Sequence, residues 1–338
     1  MHELPHLAET RTLHQTKDEL NAPFFIIGSG RSGTTLLRLM ISGHPKIEIP
    51  PETWFILPLV RAFPILTRLT NEEASKVIEM MTTDYRWPDM GIPADSFRNQ
   101  VMRLTHPTLR DIIDLVYDYH LETSGKLKIG DKTPPYIEIV PELSALYPGA
   151  KFIHLVRDGR DVAMSFIDIK MHGNCRVYER NFEWTRALRF RETYRTTCFE
   201  PQIIDIKYED LIRDPETTLR KICTFLNVEF ESSMLSVSSR IDRVPERERI
   251  IHPKLGEPLS LTSVAKWKVG LSKYECFIME ACLQRHLQRW GYALRYSSST
   301  WKTILTITGW LLFSLGPILA RGIPILQRRK ILRESIYI

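Results

Sequence analysis

The sequence is short of cysteine and lacks the cysteine spacing that marks metal sites and disulfide frameworks. Its 338 residues include five cysteines, an odd number with no C-x-x-C pair among them. This usage argues against a zinc site or a disulfide-stapled scaffold and is typical of a reducing compartment. Hydrophobic residues make up 43% and charged residues 25% of the chain, as in a globular protein with a proper core.

The first 21 residues lack an apolar stretch, and the body of the chain lacks a strong net charge. Residues 1–21 are therefore predicted to be a polar segment rather than a signal peptide or membrane anchor, and we expect a cytoplasmic protein. The net charge is +6, but residues 321–338 carry five basic side chains and one acidic side chain, so the remainder is nearly neutral. A general nucleic-acid binder is not expected.

The glycine-rich loop at 28–33 lacks both acidic residues and the lysine of a nucleotide-hydrolysing P-loop. It follows the apolar run 24–27 and precedes a predicted helix that begins at Thr34, so strand, loop and helix start together form an anion site. The spacing of Gly28 and Gly33 fits the P-loop frame, but Thr34 stands where the Walker lysine belongs. Such a loop is poorly suited to polarise the γ-phosphate of a nucleoside triphosphate, but its backbone N–H groups can bind one phosphate.

The cation of this loop is Arg31. Its guanidinium and the hydroxyls and amides of Thr34 and Thr35 could together bind one phosphate. The sequence therefore predicts a site for a single phosphate at this loop. An ordinary glycine turn of an α/β protein is the alternative, because glycine-loop matches also occur by chance.

A second predicted strand, residues 151–156, also ends at a basic residue, Arg157. A turn and a helix that contains Ser165 follow it. Ligands of open parallel sheets bind at the carboxyl ends of strands, so two such strand ends indicate a ligand with two separated phosphates. The alternative is that the arginines within 157–161 pair with the aspartates beside them on a solvated turn.

These two stretches resemble the sulfotransferases that use 3′-phosphoadenylyl sulfate (PAPS). The run Arg31–Thr35 is similar to their 5′-phosphosulfate loop, and Arg157–Ser165 is similar to their 3′-phosphate motif. The spacing from His44 to Glu52 is nearest to the tyrosylprotein and related Golgi-type branch, and the matching motifs cover most of the chain. The resemblance implies an α/β fold of the P-loop-like, three-layer kind, with a central parallel sheet and helical insertions.

The resemblance also implies two catalytic side chains besides Arg31. Glu52 matches the family's glutamate base, which accepts the proton of the attacking hydroxyl. A helix N-terminal acid is the alternative for Glu52, and Glu48 is the rival carboxylate. Lys132 matches the lysine near the bridging oxygen of the sulfate, where leaving-group charge develops. The alternative for Lys132 is an ordinary surface pair with Asp131.

Further motifs of the family follow downstream. The segment that begins at Tyr208 resembles the one whose tyrosine lies by the adenine, and Lys266–Trp267 resembles the one that covers the nucleotide. Between them, residues 232–261 lack periodicity and are predicted to form a long loop, a candidate lid whose arginines are solvated. The implied donor-binding residues are Arg31, Ser32, Gly33, Thr34, Thr35, Arg157, Ser165, Tyr208, Lys266 and Trp267.

We predict three parts of the chain: a polar segment at 1–21, a sulfotransferase domain at 22–296 and a tail at 297–338. Within the domain, residues 58–125 are predicted to form helical insertions that pack on the core. Residues 303–320 of the tail carry no charge and are followed at once by basic residues. This pattern favours docking on an anionic membrane surface, with a buried terminal helix or a true span as alternatives.

The expected reaction is in-line transfer of a sulfuryl group from PAPS to an acceptor hydroxyl of a lipid, glycan, small molecule or protein tyrosine, with no metal required. Cytosolic small-molecule sulfotransferases carry a tryptophan where Leu36 stands and a histidine as base, so their phenol and steroid acceptors are not implied. Two alternatives stay open. One is a P-loop kinase that uses ATP and Mg²⁺, and the other is a nucleotide-binding protein at the membrane without catalysis.

Overall fold

The computed structural model describes residues 22–168, 181–252, 255 and 257–296. The polar segment and the membrane-docking tail predicted from the sequence lie outside the described residues. Within the described part of the chain, no helix is both long and apolar enough to cross a bilayer. The chain divides into two compact units, residues 1–270 and 271–338.

Five parallel strands form one sheet in the first unit, so the predicted parallel sheet is confirmed. Parallel sheets are covered on both faces, which is why a strand such as the run 24–27 is apolar throughout. Phe24 lies opposite Gly130 on one neighbour and opposite Lys151 on the other. The strands are β1 (Phe24–Gly28), β2 (Ile47–Glu48), β3 (Lys128–Lys132), β4 (Lys151–Val156) and β5 (Ile203–Lys207), in the spatial order β2-β3-β1-β4-β5.

Helices connect the strands and cover the sheet. Among the described residues of the first unit they are α1 (Thr34–Ile41), α2 (Ile56–Ala62), α3 (Asn71–Thr82), α4 (Ala94–Met102), α5 (Leu109–Ser124), α6 (Val140–Leu146), α7 (Gly159–Asp168), α8 (Asn181–Tyr194), α9 (Tyr208–Arg213), α10 (Pro215–Leu226), α11 (Glu246–Ile251) and α12 (Trp267–Gly270). The described part of the second unit contains α13 (Lys273–Arg289). Helix α1 follows β1 directly and α7 follows β4, as the sequence predicts.

Two hydrophobic cores lie on opposite faces of the sheet. Successive residues of a strand point to opposite faces, and accordingly Phe25 and Ile27 belong to one core while Phe24 and Ile26 belong to the other. The first core includes side chains of α2 to α6 and α8, and the second includes side chains of α1, α9 and α10. The three-layer arrangement implied by the resemblance is confirmed, with the insertions packed on the first core.

Side-chain caps fix where several helices begin. The Thr108 hydroxyl accepts from the amide of Asp111, and the Asp111 carboxylate accepts from the amide of Thr108, so two otherwise unpaired N–H groups at the start of α5 are satisfied. At the start of α10 the Asp214 carboxylate accepts from the amide of Thr217 at 3.1 Å, with Pro215 at the first helical position. Such caps are visible in the sequence, which is why these helix starts can be read from it.

One stretch predicted as a long loop contains helical turns, so that prediction is wrong in part. Residues 232–261 include 3₁₀ turns at 232–235 and 238–243 and the helix α11. Isolated side chains such as Met234 and Val244 anchor the segment in the second core. Because the described residues of this segment bury no continuous apolar face, the segment has no helical period that the sequence could show.

The second unit, as far as it is described, is built on α13. Ser272 and Glu275 form a capping box at its start. The Glu280 carboxylate accepts from the amides of Arg295 and Tyr296 at 2.8 and 2.9 Å. These bonds fix the residues that follow the helix against its own side chains.

A buried ion-pair cluster fastens the edge strand β5 to α8. Arg191 of α8 is 1% exposed and donates to the Asp205 carboxylate through Nε and Nη2 at 2.7 and 2.9 Å, while Nδ1 of His154 lies 2.9 Å from Asp205 Oδ1. Burial alone would raise the pKa of Asp205, but the hydrogen bonds and charges of His154 and Arg191 lower it to about 2. The ionised carboxylate therefore stabilises the fold above its unfolded pKa of 3.8, and this stability is lost as the pH falls towards 2.

Replacing Asp205 with Asn should lower the free energy of unfolding at pH 7 by about 2 kcal/mol, because each unit of pKa displacement corresponds to about 1.4 kcal/mol. The loss should shrink as the pH falls from about 4 towards 2, because the unfolded carboxyl takes up its proton near its pKa of 3.8 and the folded one only near 2. Urea unfolding at both ends of this range measures it, with the exposed Asp210→Asn as a control. An equal loss at both pH values would contradict the linkage.

Candidate active site

The glycine loop between β1 and α1 has backbone angles that few residues adopt. Gly33 has φ +95°, and a Cβ there would lie 2.4 Å from the ring of Tyr208, so glycine is required. Arg31 has φ +64°, a left-handed conformation that costs free energy for a non-glycine residue. Thr34 and Thr35 are buried at the start of α1. The loop thereby places a guanidinium and a helix N-terminus together at the carboxyl end of the sheet.

Arg31 joins the two predicted phosphate motifs. Its Nε donates to the Ser165 hydroxyl of α7 at 3.2 Å, and its Nη2 donates to the carbonyl of Ile251 at 2.9 Å. Ser32 is fully buried, with its hydroxyl 2.6 Å from that of Ser29, so its side chain holds the loop together. The structure thus brings together Arg31 and Ser165, which were predicted from separate stretches.

Arg157 lies at the end of β4 against the same loop. Its Nη1 donates to the carbonyl of Arg31 at 3.2 Å, and its Nη2 donates to the carbonyl of Ser263 at 2.6 Å. The guanidinium lies 4.4 Å from the ring centroid of Tyr208, whose hydroxyl contacts the Ser263 hydroxyl at 2.8 Å. Arg157 and Tyr208, both predicted donor-binding residues, therefore belong to one cluster beside the loop.

The alternative of charge pairs on a solvated turn after β4 is right only in that one of the two arginines is paired, since that pair is buried. Arg160 donates to the Asp158 carboxylate at 2.7 Å, and both side chains are buried. Arg157 instead faces the loop, and its buried Nε has no hydrogen-bond partner among the described residues. The pairing alternative is therefore wrong for Arg157.

Arg160 and Asp161 fix the segment around Trp267. The Arg160 guanidinium lies 3.6 Å from the ring centroid of Trp267, which is 4% exposed. The Asp161 carboxylate accepts from the amides of Ala265 and Trp267 at 2.7 and 2.9 Å. Lys266, half-buried, lies between these two amides in the chain. The predicted nucleotide-covering pair is thus tied to the start of α7, next to Arg157.

Glu52 and Lys132 form an ion pair beside the loop. Lys132 is fully buried at the end of β3, and its Nζ contacts Glu52 Oε1 and donates to the Thr35 hydroxyl at 3.2 Å. The indole N–H of Trp54 donates to the second Glu52 oxygen at 2.5 Å. The alternative of a surface pair between Lys132 and Asp131 is wrong, since both side chains are buried and the lysine turns to Glu52. One ammonium group therefore connects the predicted base to the anion loop.

Asp131 holds the backbone on both sides of this ion pair. Its fully buried carboxylate accepts from the hydroxyls of Thr53, of Tyr117 at 2.8 Å and of Thr133 at 2.9 Å. The amide of Thr53 donates to the Thr133 hydroxyl at 3.1 Å. Burial raises the pKa of Asp131 to about 6, against the lowering effect of the three hydroxyls. Because Thr53 and Asp131 are sequence neighbours of the ion-paired residues, this network sets the separation of the pair.

Two charged side chains near the ion pair escape prediction from the sequence. Glu248 of α11 is 8% exposed and lies 3.4 Å from Lys132 Nζ and 3.7 Å from Arg38 Nη1. Burial would raise the pKa of Glu248, but the charges of Lys132 and Arg38 lower it. No local signal marks Glu248, whereas Arg38 could have been noticed as a charge inside an apolar helix.

Other charged candidates have partners away from the ion pair. Glu48, the rival carboxylate, pairs with Lys126 at 3.0 Å and with Arg243 at 3.4 Å. Arg247, expected to be solvated, pairs with Asp89 instead, so that expectation is wrong. The Glu52 carboxylate is therefore the better candidate for a base beside the loop.

Comparisons with known proteins give one consistent family. Residues 23–232 match the sequence model of the Sulfotransferase family. The chain is 25% identical over 313 residues to Protein-tyrosine sulfotransferase 1 of Danio rerio, and the matched region covers 85% of this chain and 79% of that relative. It is 32% identical over 145 residues to nodulation protein NoeE of Sinorhizobium fredii, and the matched region covers 42% of this chain and 30% of that relative. The solved sulfotransferase domain from the curacin biosynthetic pathway has the same fold, with a TM-score of 0.59 at 23% identity over 81% of this chain and 98% of the domain.

Replacing Asp161 with Ala should loosen the segment around Trp267. The amides of Ala265 and Trp267 would lose a charged acceptor, so we expect their hydrogen exchange to accelerate by about tenfold or more. Asp161→Asn keeps one accepting oxygen and should show a smaller change, and the exposed Asp242→Ala should show none. Unchanged protection of both amides in Asp161→Ala would contradict the assigned role.

Proposed function

Because this chain belongs to the sulfotransferase family, we propose that it transfers a sulfuryl group from PAPS to an acceptor hydroxyl. The observation that carries the proposal is the position of the Lys132 ammonium, which contacts both the Glu52 carboxylate and the Thr35 hydroxyl of the anion loop. A base, a cation and a phosphate loop are thus linked by direct contacts. Attack on a sulfur atom bonded to a phosphate oxygen requires these three groups side by side.

In the proposed step, the acceptor oxygen attacks sulfur while the bond from sulfur to the bridging phosphate oxygen breaks. Glu52 takes the proton of the acceptor hydroxyl, and the donor leaves as adenosine 3′,5′-bisphosphate (PAP). Lys132 and Arg31 supply positive charge near the bridging oxygen, where negative charge grows as the bond breaks. The step is a displacement at sulfur in which no atom changes oxidation state.

The proposed donor site suits a ligand with two separated phosphates. Arg31 and Thr35, at the loop and the start of α1, serve the 5′ side, and Arg157 and Ser165 serve the 3′-phosphate. The buried Nε of Arg157, which has no partner among the described residues, is the kind of donor that an anion satisfies. The contact between Arg31 and Ser165 at 3.2 Å supports a single continuous site for both phosphates.

We further propose a tyrosyl hydroxyl of a peptide as the first acceptor to test. The name of the Danio rerio relative supports this choice, and so does an aromatic and cationic surface next to Glu52. The Arg86 guanidinium lies 4.6 Å from the ring centroid of Trp54, the partner of Glu52, and 4.1 Å from that of Tyr85. Rings packed with guanidinium groups suit a phenolic acceptor. Hydroxyls of lipids, glycans and small molecules are the other classes to compare.

Replacing Glu52 with Gln should abolish transfer while sparing donor binding. The amide cannot take the acceptor proton, so we expect kcat to fall by about 100-fold or more. We expect the Kd for PAP to change by less than about threefold, because the loop and both arginines stay in place. Transfer of labelled sulfate from PAPS to a tyrosine peptide, a phenol, an oligosaccharide and a fatty alcohol measures activity, and calorimetry measures PAP binding.

Glu72→Gln is the matched control, because Glu72 is an exposed glutamate whose ion pair, among the described residues, is with Lys76 of its own helix. It should behave as the wild type in both assays. Full activity of Glu52→Gln would show that another group takes the proton. Loss of PAP binding together with activity would show that Glu52 serves donor binding rather than proton transfer.

A further inference from the structure

A histidine at the end of α11 lies against the anion loop. Both ring nitrogens of His252 are 3.3 Å from Arg31 Nη1, and its Nε2 is also 3.3 Å from the Thr35 hydroxyl. The preceding residue, Ile251, accepts from Arg31 through its carbonyl at 2.9 Å. The end of α11 therefore contacts both the guanidinium and the hydroxyl that the proposed donor site uses.

One tautomer of the His252 ring satisfies the hydrogen bonds of both its neighbours. A neutral histidine has one N–H and one accepting nitrogen, and an arginine can only donate. The two neighbours are satisfied together when Nδ1 accepts from Arg31 and the Nε2–H donates to Thr35; this tautomer is assigned from the contacts. The second lone pair of the Thr35 hydroxyl accepts from Lys132 Nζ at 3.2 Å. With both lone pairs of that oxygen occupied, its proton is left to donate to a third group.

We propose that His252 is a positioning residue of the donor site, which turns the Thr35 hydroxyl proton and the Arg31 guanidinium towards the 5′-phosphosulfate of the donor. The inference rests on the proposed function, since it names what those two groups bind. His252 acts through its neighbours and takes no part in proton transfer from the acceptor.

Burial and the neighbouring charges keep the imidazole neutral. Burial, then the positive charges of Arg31 and Lys132, lower the pKa of His252 to about 3, and the negative charge of Glu52 opposes them. The ring is therefore neutral at physiological pH, as the hydrogen-bond arrangement requires. A protonated ring would turn an Nδ1–H towards the Arg31 guanidinium, so that two donors would face each other. The proposed arrangement therefore requires the neutral ring.

Calorimetric titration with PAP at about pH 7 measures the affinity of the donor site. Three variants accompany the wild type. His252→Ala should bind PAP roughly tenfold more weakly. His252→Gln can place an amide N–H near the position of Nε2 and an amide oxygen near that of Nδ1, so it should recover most of the affinity. His106→Asn is the matched control, because His106 is exposed and has φ +50°, which asparagine tolerates.

The outcomes separate this inference from the proposed function. A wild type that fails to bind PAP would overturn both. Wild-type affinity that a folded His252→Ala reproduces would overturn the role of His252 alone. If His252→Ala fails to fold, as judged by thermal unfolding, the His252→Gln variant decides. A folded His252→Gln that binds PAP tenfold more weakly than the wild type would contradict the inference.

Discussion

The arrangement at the carboxyl end of the sheet depends on one buried ammonium group, that of Lys132. A fully buried charge is expensive unless it is paired, and removing one partner of a buried pair costs about 3–5 kcal/mol. Lys132 meets this requirement with Glu52, Thr35 and Glu248, which come from three separate parts of the chain. The burial of one lysine therefore obliges the loop after β2, the anion loop and the helix α11 to converge on the same point.

The parallel sheet explains why these parts can meet. All carboxyl ends of parallel strands lie along one edge, and the central order β3-β1-β4 puts three functional strand ends side by side. Ile26 of β1 is in register with Lys132 of β3, and Gly28 with Leu155 of β4. Lys132, the glycine loop and Arg157 are consequently neighbours, although about a hundred residues of the chain separate β1 from β3. The topology itself places the proposed base Glu52, Lys132 and the arginines within reach of one ligand.

The sequence predicts well those features that depend on residues close together in the chain. The apolar strands, the glycine loop and the capped helices follow from patterns within a few residues, and the resemblance then places Arg31, Glu52 and Lys132. The contacts of Glu248 and His252 do not follow from such patterns, because their partners lie far away: His252 and Arg31 are 221 positions apart. The described residues of their segment bury isolated side chains rather than one apolar face of a helix. The segment therefore lacks the helical spacing of apolar residues from which its structure could be predicted. The part of the site contributed by α11 is therefore a product of tertiary packing, and only the folded chain reveals it.

The most direct test of this account is a calorimetric comparison of two ligands, PAP in the presence of EDTA and ATP with Mg²⁺, on the wild type and Arg157→Ala. The account predicts binding of PAP by the wild type with a Kd of micromolar order and without metal, weakened by about tenfold or more when Arg157 is removed. It also predicts that ATP with Mg²⁺ binds more weakly than PAP, since the loop has threonine in place of the Walker lysine. Tighter binding of ATP with Mg²⁺, or PAP binding that does not depend on Arg157, would contradict the account.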